Sequence, residues 1–373
     1  MKKALIVATV AAFIASFEMQ DIEILQSLGF EVHCATNFSQ INDSLKKQKL
    51  LDSGIITHQV DFKRSPFCLQ NLRAYRQLKK VIKEGKFDLV HCHTPMGGFL
   101  GRLAAKKYNV KSIFYTAHGF HFFKGAPLKN WIFIYNIEKY MSKKTDVLIT
   151  INNEDFEIAS RKFHDKHLKR IHGVGLNIKS FSTPNINRDD KRKQLGFSSE
   201  DKVLLSVGEL SRDKNHLTSI SAMKVLSRQG FKLLIAGEGK ERKKIEKRIQ
   251  KNNLQKYVTL LGYRNDISEL LYACDAFLFP SFFEGLSVAL MEAIASHKPI
   301  ICSKVRGNVD LITSQESYFD PKCYKTMIDA VERVFSLDEK ELNKMIEKNF
   351  LNLKKFDSSN VKEEMKEIYK LAI

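Results

Sequence analysis

Short apolar runs alternate with longer stretches whose apolar residues recur every three or four positions, almost to the end of the chain. In the first half, the runs at 4–10, 30–35, 55–60, 89–91, 112–116 and 147–151 predict strands, and 18–28, 69–83 and 99–107 predict helices between them. In the second half, strands are expected at 203–207, 232–236, 258–261, 276–279 and 299–302, and helices at 217–228, 241–252 and 287–296. Runs that are apolar on both faces and separated by helices are what a parallel sheet covered on both sides requires. Residues 177–192 carry Asn, Ser, Thr, Pro184 and charges without apolar periodicity, and read as a linker. Beyond 338 the pattern is purely helical. The expected fold is α/β: two doubly wound, Rossmann-like parallel-sheet domains, 1–180 and 181–355, and a C-terminal helix within 356–373 that can cross back to the first domain. Such sheets bind ligands outside the carboxyl ends of their strands, so a cleft where both sets of strand ends face one another is the expected binding place.

The start of the chain allows a second reading. Lys2-Lys3 followed by the apolar stretch 4–17 resembles the charged and apolar regions of a secretory signal. A buried strand is the better reading, because Ile22, Leu25 and Leu28 follow at once with helical spacing and stop at Gly29, and 30–35 then reads as a second strand. The run is also too short to span a bilayer, which takes about 20 residues.

Charge adds a constraint. The 373 residues carry 61 Lys and Arg against 42 Asp and Glu, a formal +19, so an anionic partner is expected. Residues 1–180 hold 28 of these cations against 15 anions, so most of the excess lies in the first half. Six scattered cysteines without a C-x-x-C pair argue against a disulfide framework or a zinc knuckle and fit a reducing compartment.

Candidate chemistry gathers at four predicted strand ends of the second half. Phe279-Pro-Ser-Phe-Phe-Glu284-Gly285-Leu286-Ser287-Val288 runs from a strand into a helix, whose first amides are unpaired and whose dipole end is positive, so a diphosphate fits there. Gly285 permits close backbone approach. Glu292 lies two turns beyond Glu284 and returns to a similar face. By spacing alone, a helix with an N-terminal carboxylate and an exposed one in its middle explains this pair as well. The loop from Gly208 to Asn215 places Arg212 and Lys214 just past another strand, where cations can neutralise a leaving diphosphate. Gly237-Glu238-Gly239 and Gly262-Tyr263-Arg264 mark two further strand-to-turn switches. Each motif alone is weak; their position at the same end of one predicted sheet carries the argument.

These motifs resemble glycosyltransferase family 4: the E-x₇-E block from Glu284 to Glu292, the loop from Gly208 to Asn215, and the turn at Gly237. In the first half, Val90-His91-Cys92-His93-Thr94-Pro95-Met96-Gly97-Gly98 and Tyr115-Thr116-Ala117-His118-Gly119-Phe120-His121 resemble its capsule and exopolysaccharide members. The resemblance implies the GT-B fold and retaining transfer from a nucleotide sugar, with uridine diphosphate as carrier, to a saccharide on a lipid diphosphate. By position it implies that Glu284 and His118 act at the donor sugar. The diphosphate would be held by the amides of Gly285, Leu286, Ser287 and Val288 with Lys214 and Arg212, and the nucleoside by Glu292, Gly237, Gly262, Tyr263 and Arg264. His93, Gly97 and His121 would line the acceptor side. The sequence departs from the family where Glu209 follows the loop glycine in place of Arg, and where Ala11-Ala12-Phe13 replaces a glycine pair after the first strand.

No cofactor is expected beyond the nucleotide-sugar substrate, and no metal. His91 and His93 form an H-x-H pair, but no matching carboxylate or cysteine cluster is identifiable in the sequence. The basic amphipathic stretches 69–83 and 124–144 suit an anionic membrane surface, and the resemblance, whose polysaccharide members extend sugars on a lipid diphosphate, implies a cytoplasmic protein held at the inner face of the membrane. A solvated basic face is the plainer reading of both. Nucleic acid is not expected, since no binding motif accompanies the charge. A dehydrogenase needs G-x-G-x-x-G after the first strand, and 8–16 contains no glycine. A nucleotide-sugar epimerase of the same two-domain shape is the alternative to a transferase.

Overall fold

The structure is a computed structural model that describes residues 1–40, 44–181 and 186–373. Its contacts divide it into two units: Met1–Gly175 with Ser358–Ile373, and Leu176–Asp357.

Among the described residues, the first unit holds a seven-stranded parallel sheet in the order β3-β2-β1-β4-β5-β6-β7. The strands are β1 (Lys2–Val10), β2 (Phe30–Asn37), β3 (Ile56–Gln59), β4 (Leu89–His93), β5 (Ser112–Ala117), β6 (Val147–Thr150) and β7 (His167–Arg170). β1 is central and pairs with β2 and β4; Ala4 through Ala8 are fully buried. The stretch that resembled a signal region is therefore the heart of a sheet. A helix, Ala11–Phe17, follows β1 directly, so the place of the glycine-rich loop is taken by helix. The C-terminal helix, Ser358–Tyr369, packs into this unit, and the ring of Tyr369 is buried against Phe114 of β5.

The second unit holds a six-stranded parallel sheet in the order β10-β9-β8-β11-β12-β13, again among the described residues. These strands are β8 (Lys202–Val207), β9 (Phe231–Ala236), β10 (Val258–Gly262), β11 (Ala276–Phe279), β12 (Ile300–Ser303) and β13 (Tyr318–Phe319). Leu204 packs into one apolar cluster, while Val203 and Leu205 pack into another. That alternation shows a sheet buried on both faces.

Two strands, β7 and β13, escape the hydrophobic pattern. β7 is an edge strand of sequence HLKR and is largely exposed; β13 has two residues. The proposed linker is also shorter than its composition implied. Residues 182–185, with Pro184, lie outside the described residues, but Arg188–Gln194 is already a helix. Asn187 caps it, and Arg192 is buried, donating to the carbonyls of Ser198 and Ala273. A buried guanidinium does not register in an apolar periodicity.

Candidate active site

In the second unit, four turns at the C-terminal ends of β8 to β11 are bound together. The Gly237 N–H donates to Gly262 O at 2.8 Å, and the Gly208 N–H to Ala236 O at 3.0 Å. A Cβ on Gly237, whose φ is +148°, would lie 1.9 Å from Gly208 O, so only glycine permits these turns to touch. On the other side, the Asn215 amide donates to Pro280 O and Pro321 O, and the Phe282 N–H donates to Asp213 O at 2.8 Å.

These ties bring Lys214 to Glu284. Lys214 Nζ stands 2.6 Å from Glu284 Oε1 and 5.1 Å from the centre of the Phe279 ring. Glu284 is buried, and its carbonyl accepts from Arg306 Nε at 2.9 Å. The helix beyond it is Val288–Ala295, capped by Ser287, whose hydroxyl accepts from the Leu290 N–H at 3.3 Å. Gly285, Leu286, Ser287 and Val288 thus form the approach and first turn of a helix next to a lysine. Glu292, in that helix, has its carboxyl pushed up to about 7 by burial. An ionisable group perturbed in this way is a mark of functional sites.

The remaining predicted residues of this unit divide. The Arg212 side chain is exposed and has no hydrogen-bond or ion-pair partner among the described residues. Tyr263 is exposed. Arg264 is committed to Asp266, which Lys191 also contacts at 2.6 Å; the Arg264 guanidinium is the main cause holding the Asp266 carboxyl down to about 2. The sequence reading missed Arg306 and Gly307. A Cβ on Gly307, at φ +78°, would lie 2.6 Å from Gly285 O, so this turn presses on the backbone of Glu284 and Gly285. The only hint in the sequence was a glycine shortly after a predicted strand.

The first unit carries a different cluster. His91 and His93 lie on β4, and His118 just past β5. His93 Nδ1 is 3.2 Å from His118 Nε2 and 3.3 Å from Glu18 Oε1; His118 Nε2 is 3.5 Å from the same oxygen. His91 is held by the hydroxyls of Tyr369 at 2.7 Å and Thr116 at 2.8 Å, and Tyr369 donates to Asp21 Oδ2 at 2.8 Å. Burial pushes Glu18 well above the carboxylate range, with Asp21 adding to it, and raises Asp21 to about 6. It lowers His118 to about 4, His91 to about 3, and His93 well below the usual imidazole range. The imidazoles are therefore neutral at pH 7.

Three expectations need correction here. His93 lines no open surface: its side chain is buried within the cluster. Gly97 is buried too; a Cβ there would meet Ala8 Cα at 3.0 Å, so its smallness serves helix–strand packing. The H-x-H pair does have carboxylate neighbours, Glu18 and Asp21. They stand beyond a helix from β1, and nothing in local spacing reveals them. His118 and His121, by contrast, border a cavity of about 220 Å³ together with Phe13, Gly119 and Phe122.

Two doubly wound parallel sheets in one chain are the architecture of the GT-B class. A profile described as "Glycosyl transferases group 1" matches residues 187–351, and one described as "Glycosyl transferase 4-like" matches 4–152. EpsD of Bacillus subtilis (strain 168), assigned to the glycosyltransferases, is 36% identical over 324 residues, covering 85% of this chain and 83% of its own. A UDP-Gal:alpha-D-GlcNAc-diphosphoundecaprenol alpha-1,3-galactosyltransferase of Escherichia coli is 32% identical, covering 76% and 74%. The crystal structure of Anabaena Alr3699/HepE in complex with UDP and glucose superimposes with a TM-score of 0.78 at 18% identity, over all of both chains. The chain belongs to glycosyltransferase family 4 and has the GT-B fold.

Proposed function

We propose that this glycosyltransferase moves a hexosyl or N-acetylhexosaminyl group from a UDP-sugar, with retention, to a saccharide carried on a lipid diphosphate, in surface polysaccharide synthesis. The observation that carries the proposal is the Lys214–Glu284 pair beside the start of Val288–Ala295. A diphosphate entering there would exchange Lys214 from a carboxylate to the anion. Its growing charge would be met by Lys214, Arg212 and the amides of Gly285 to Val288, with no metal ion required at that position. Glu284 is assigned to the donor sugar, Glu292 to the ribose hydroxyls, and the turns at Gly237 and Gly262 to Arg264 to the base. His118 is assigned to the donor, and the cavity beside His121 to the acceptor. Retention then follows a front-face route: the sugar–phosphate bond breaks, and the leaving phosphate takes the proton of the attacking acceptor hydroxyl.

The acceptor class is supported by the name of the Escherichia coli relative, which specifies a sugar on diphosphoundecaprenol. The membrane assignment has support of its own. Phe67, Leu69, Leu72, Leu128, Ile132 and Phe133 are all more than half exposed, among Arg73, Arg76, Lys129 and Lys143. Among the described residues, no helix is long and apolar enough to cross a membrane. Leu78 and Ile82, by contrast, are buried, and Trp131 and Tyr135 pack inward.

A panel of nucleotide sugars, each incubated with and without a diphosphate-lipid-linked saccharide, tests the reaction. The expected result is acceptor-dependent product from a UDP-sugar, with the donor's anomeric configuration kept. Conversion of donor alone would make the chain an epimerase, and an inverted product would overturn the front-face route. In vesicle flotation, equal recovery with neutral and anionic lipid would remove the membrane assignment.

A further inference from the structure

Glu138 is a buried carboxylate with one oxygen committed and one spare. Its Oε2 accepts from Arg102 Nη2 at 2.7 Å, while Oε1 has no hydrogen-bond partner among the described residues. Arg102 is itself sealed in at 1% exposure. Its Nε donates to Gly98 O at 2.8 Å, and its guanidinium carbon stands 3.9 Å over the centre of the Tyr115 ring. Gly98 makes room for that ring, since a Cβ there would lie 2.4 Å from Tyr115 Cε2. Burying two charges is costly, and apolar side chains of similar volume often hold a fold equally well. The pair therefore calls for a reason beyond packing. Glu138 and Tyr115 both border the cavity of about 220 Å³ beside His118, whose other walls include Phe13, Phe120 and Phe122.

We propose that this cavity receives one neutral sugar residue of the acceptor and that Glu138 reads its hydroxyls. The inference rests on the assignment of the cavity to the acceptor, and adds which part of the acceptor enters it. A carboxylate repels a diphosphate and any acidic sugar. A hydrocarbon tail would leave Oε1 desolvated with no donor to meet it. A neutral pyranose satisfies both kinds of wall. Its hydroxyls donate to the carboxylate, and its C–H face lies on the negative face of an aromatic ring. Arg102 keeps Oε2 occupied, so the oxygen left for the ligand is fixed in place.

The segment that carries Glu138 fits this role. Asn130–Ile134 is a π-helical turn in which the Tyr135 N–H bonds to Asn130 O, and such turns are frequent at functional sites. The helix Tyr135–Ser142 follows directly. Together they bring Ile134 and Glu138 to the cavity and leave Ile132 and Phe133 exposed. A saccharide on a lipid needs both within a short reach: a polar pocket for the sugar and an apolar surface for its carrier.

The test uses the full chain and saturation-transfer NMR with the methyl glycosides of glucose, galactose and their N-acetylhexosamines, and with the methyl glycosides of the matching uronic acids. At least one neutral glycoside should bind saturably, and neither uronide should. Glu138→Gln keeps the shape, but Arg102 draws its amide oxygen and leaves an N–H where the carboxylate offered an acceptor. Affinity for the neutral glycoside should then fall about 10-fold or more, and a uronide should gain. Should that variant fold poorly, the discrimination between neutral and acidic glycosides by the wild-type chain supplies the reading alone. No saturable binding of any neutral glycoside, a uronide bound as well as its parent sugar, or unchanged affinity in a folded Glu138→Gln chain would overturn the inference. A chain that transfers to a lipid-linked saccharide yet shows any of these keeps the proposed function and loses this site. A chain that binds glycosides as expected but transfers nothing does the reverse.

Discussion

At the carboxyl ends of the first sheet, ionisable side chains, most of them buried, are tied to one another: the neutral imidazoles of His91, His93 and His118 with Glu18, Asp21 and Tyr369. At the corresponding ends of the second sheet, the backbone does most of the joining. Glycine turns touch at Gly208, Gly237 and Gly262, and a close charged pair, Lys214–Glu284, is partly open to solvent. The same strand order therefore supports two kinds of polar site. A buried cluster fixes side chains in place but cannot shed its protons cheaply. A pair at the surface of a rigid backbone frame can exchange its partner for a ligand, which is what an anion-binding site has to do.

The comparison can be broken at several points. The largest effect is expected from Glu284→Ala and Lys214→Ala, each lowering kcat by about 10²–10³-fold if the pair works at the developing diphosphate charge. The double variant should lose less than the product of the two, since both residues belong to one unit. Wild-type kcat in either single variant would remove the pair from the site.

Next comes Tyr369→Phe, which leaves His91 and Asp21 without their shared hydroxyl. Urea unfolding should show a loss of roughly 1–3 kcal/mol. An unchanged midpoint would mean that the first cluster is not held from the C-terminal helix.

The smallest effect is on pH dependence. The Glu292 carboxyl titrates near 7 when folded, against 4.5 for an unburied glutamate. Between those values the folded state binds the extra proton, so the stability contributed by this group is present at low pH and falls as pH rises through 7. Glu292→Gln should flatten the loss of stability between pH 5 and 8. If the variant keeps the wild-type slope, Glu292 is not the group responsible.

Much of this was legible in the sequence, and the exceptions have physical causes. Strands buried on both faces, such as β1, β4, β8 and β11, announce themselves as apolar runs. The exposed edge strand β7 and the two-residue β13 do not. The residues proposed for the phosphate side lie where strand, turn and helix follow one another within about ten positions, which the sequence shows directly: Glu284 through Val288 on one stretch, Gly208 through Asn215 on another. The histidine cluster was only half legible. His91 and His93 are neighbours in sequence, but Glu18, Asp21 and Tyr369 reach them through the packing of helices from elsewhere, and Arg306 reaches Glu284 from the turn after β12. A reading that moves along the chain finds sites built from one stretch and misses those assembled across the fold.

The chain leaves its first unit at Gly175 and returns at Ser358. Tyr369 and His91 are partners across 278 positions. At a synthesis rate of roughly 5–20 residues per second, a ribosome would need about 15–60 s to supply the hydroxyl after making the imidazole. During that interval the nascent first lobe must keep its carboxylates hydrated and its helix-docking groove uncovered. The lobe synthesised first is thus the last to be finished, and a premature stop anywhere in the second would leave both incomplete.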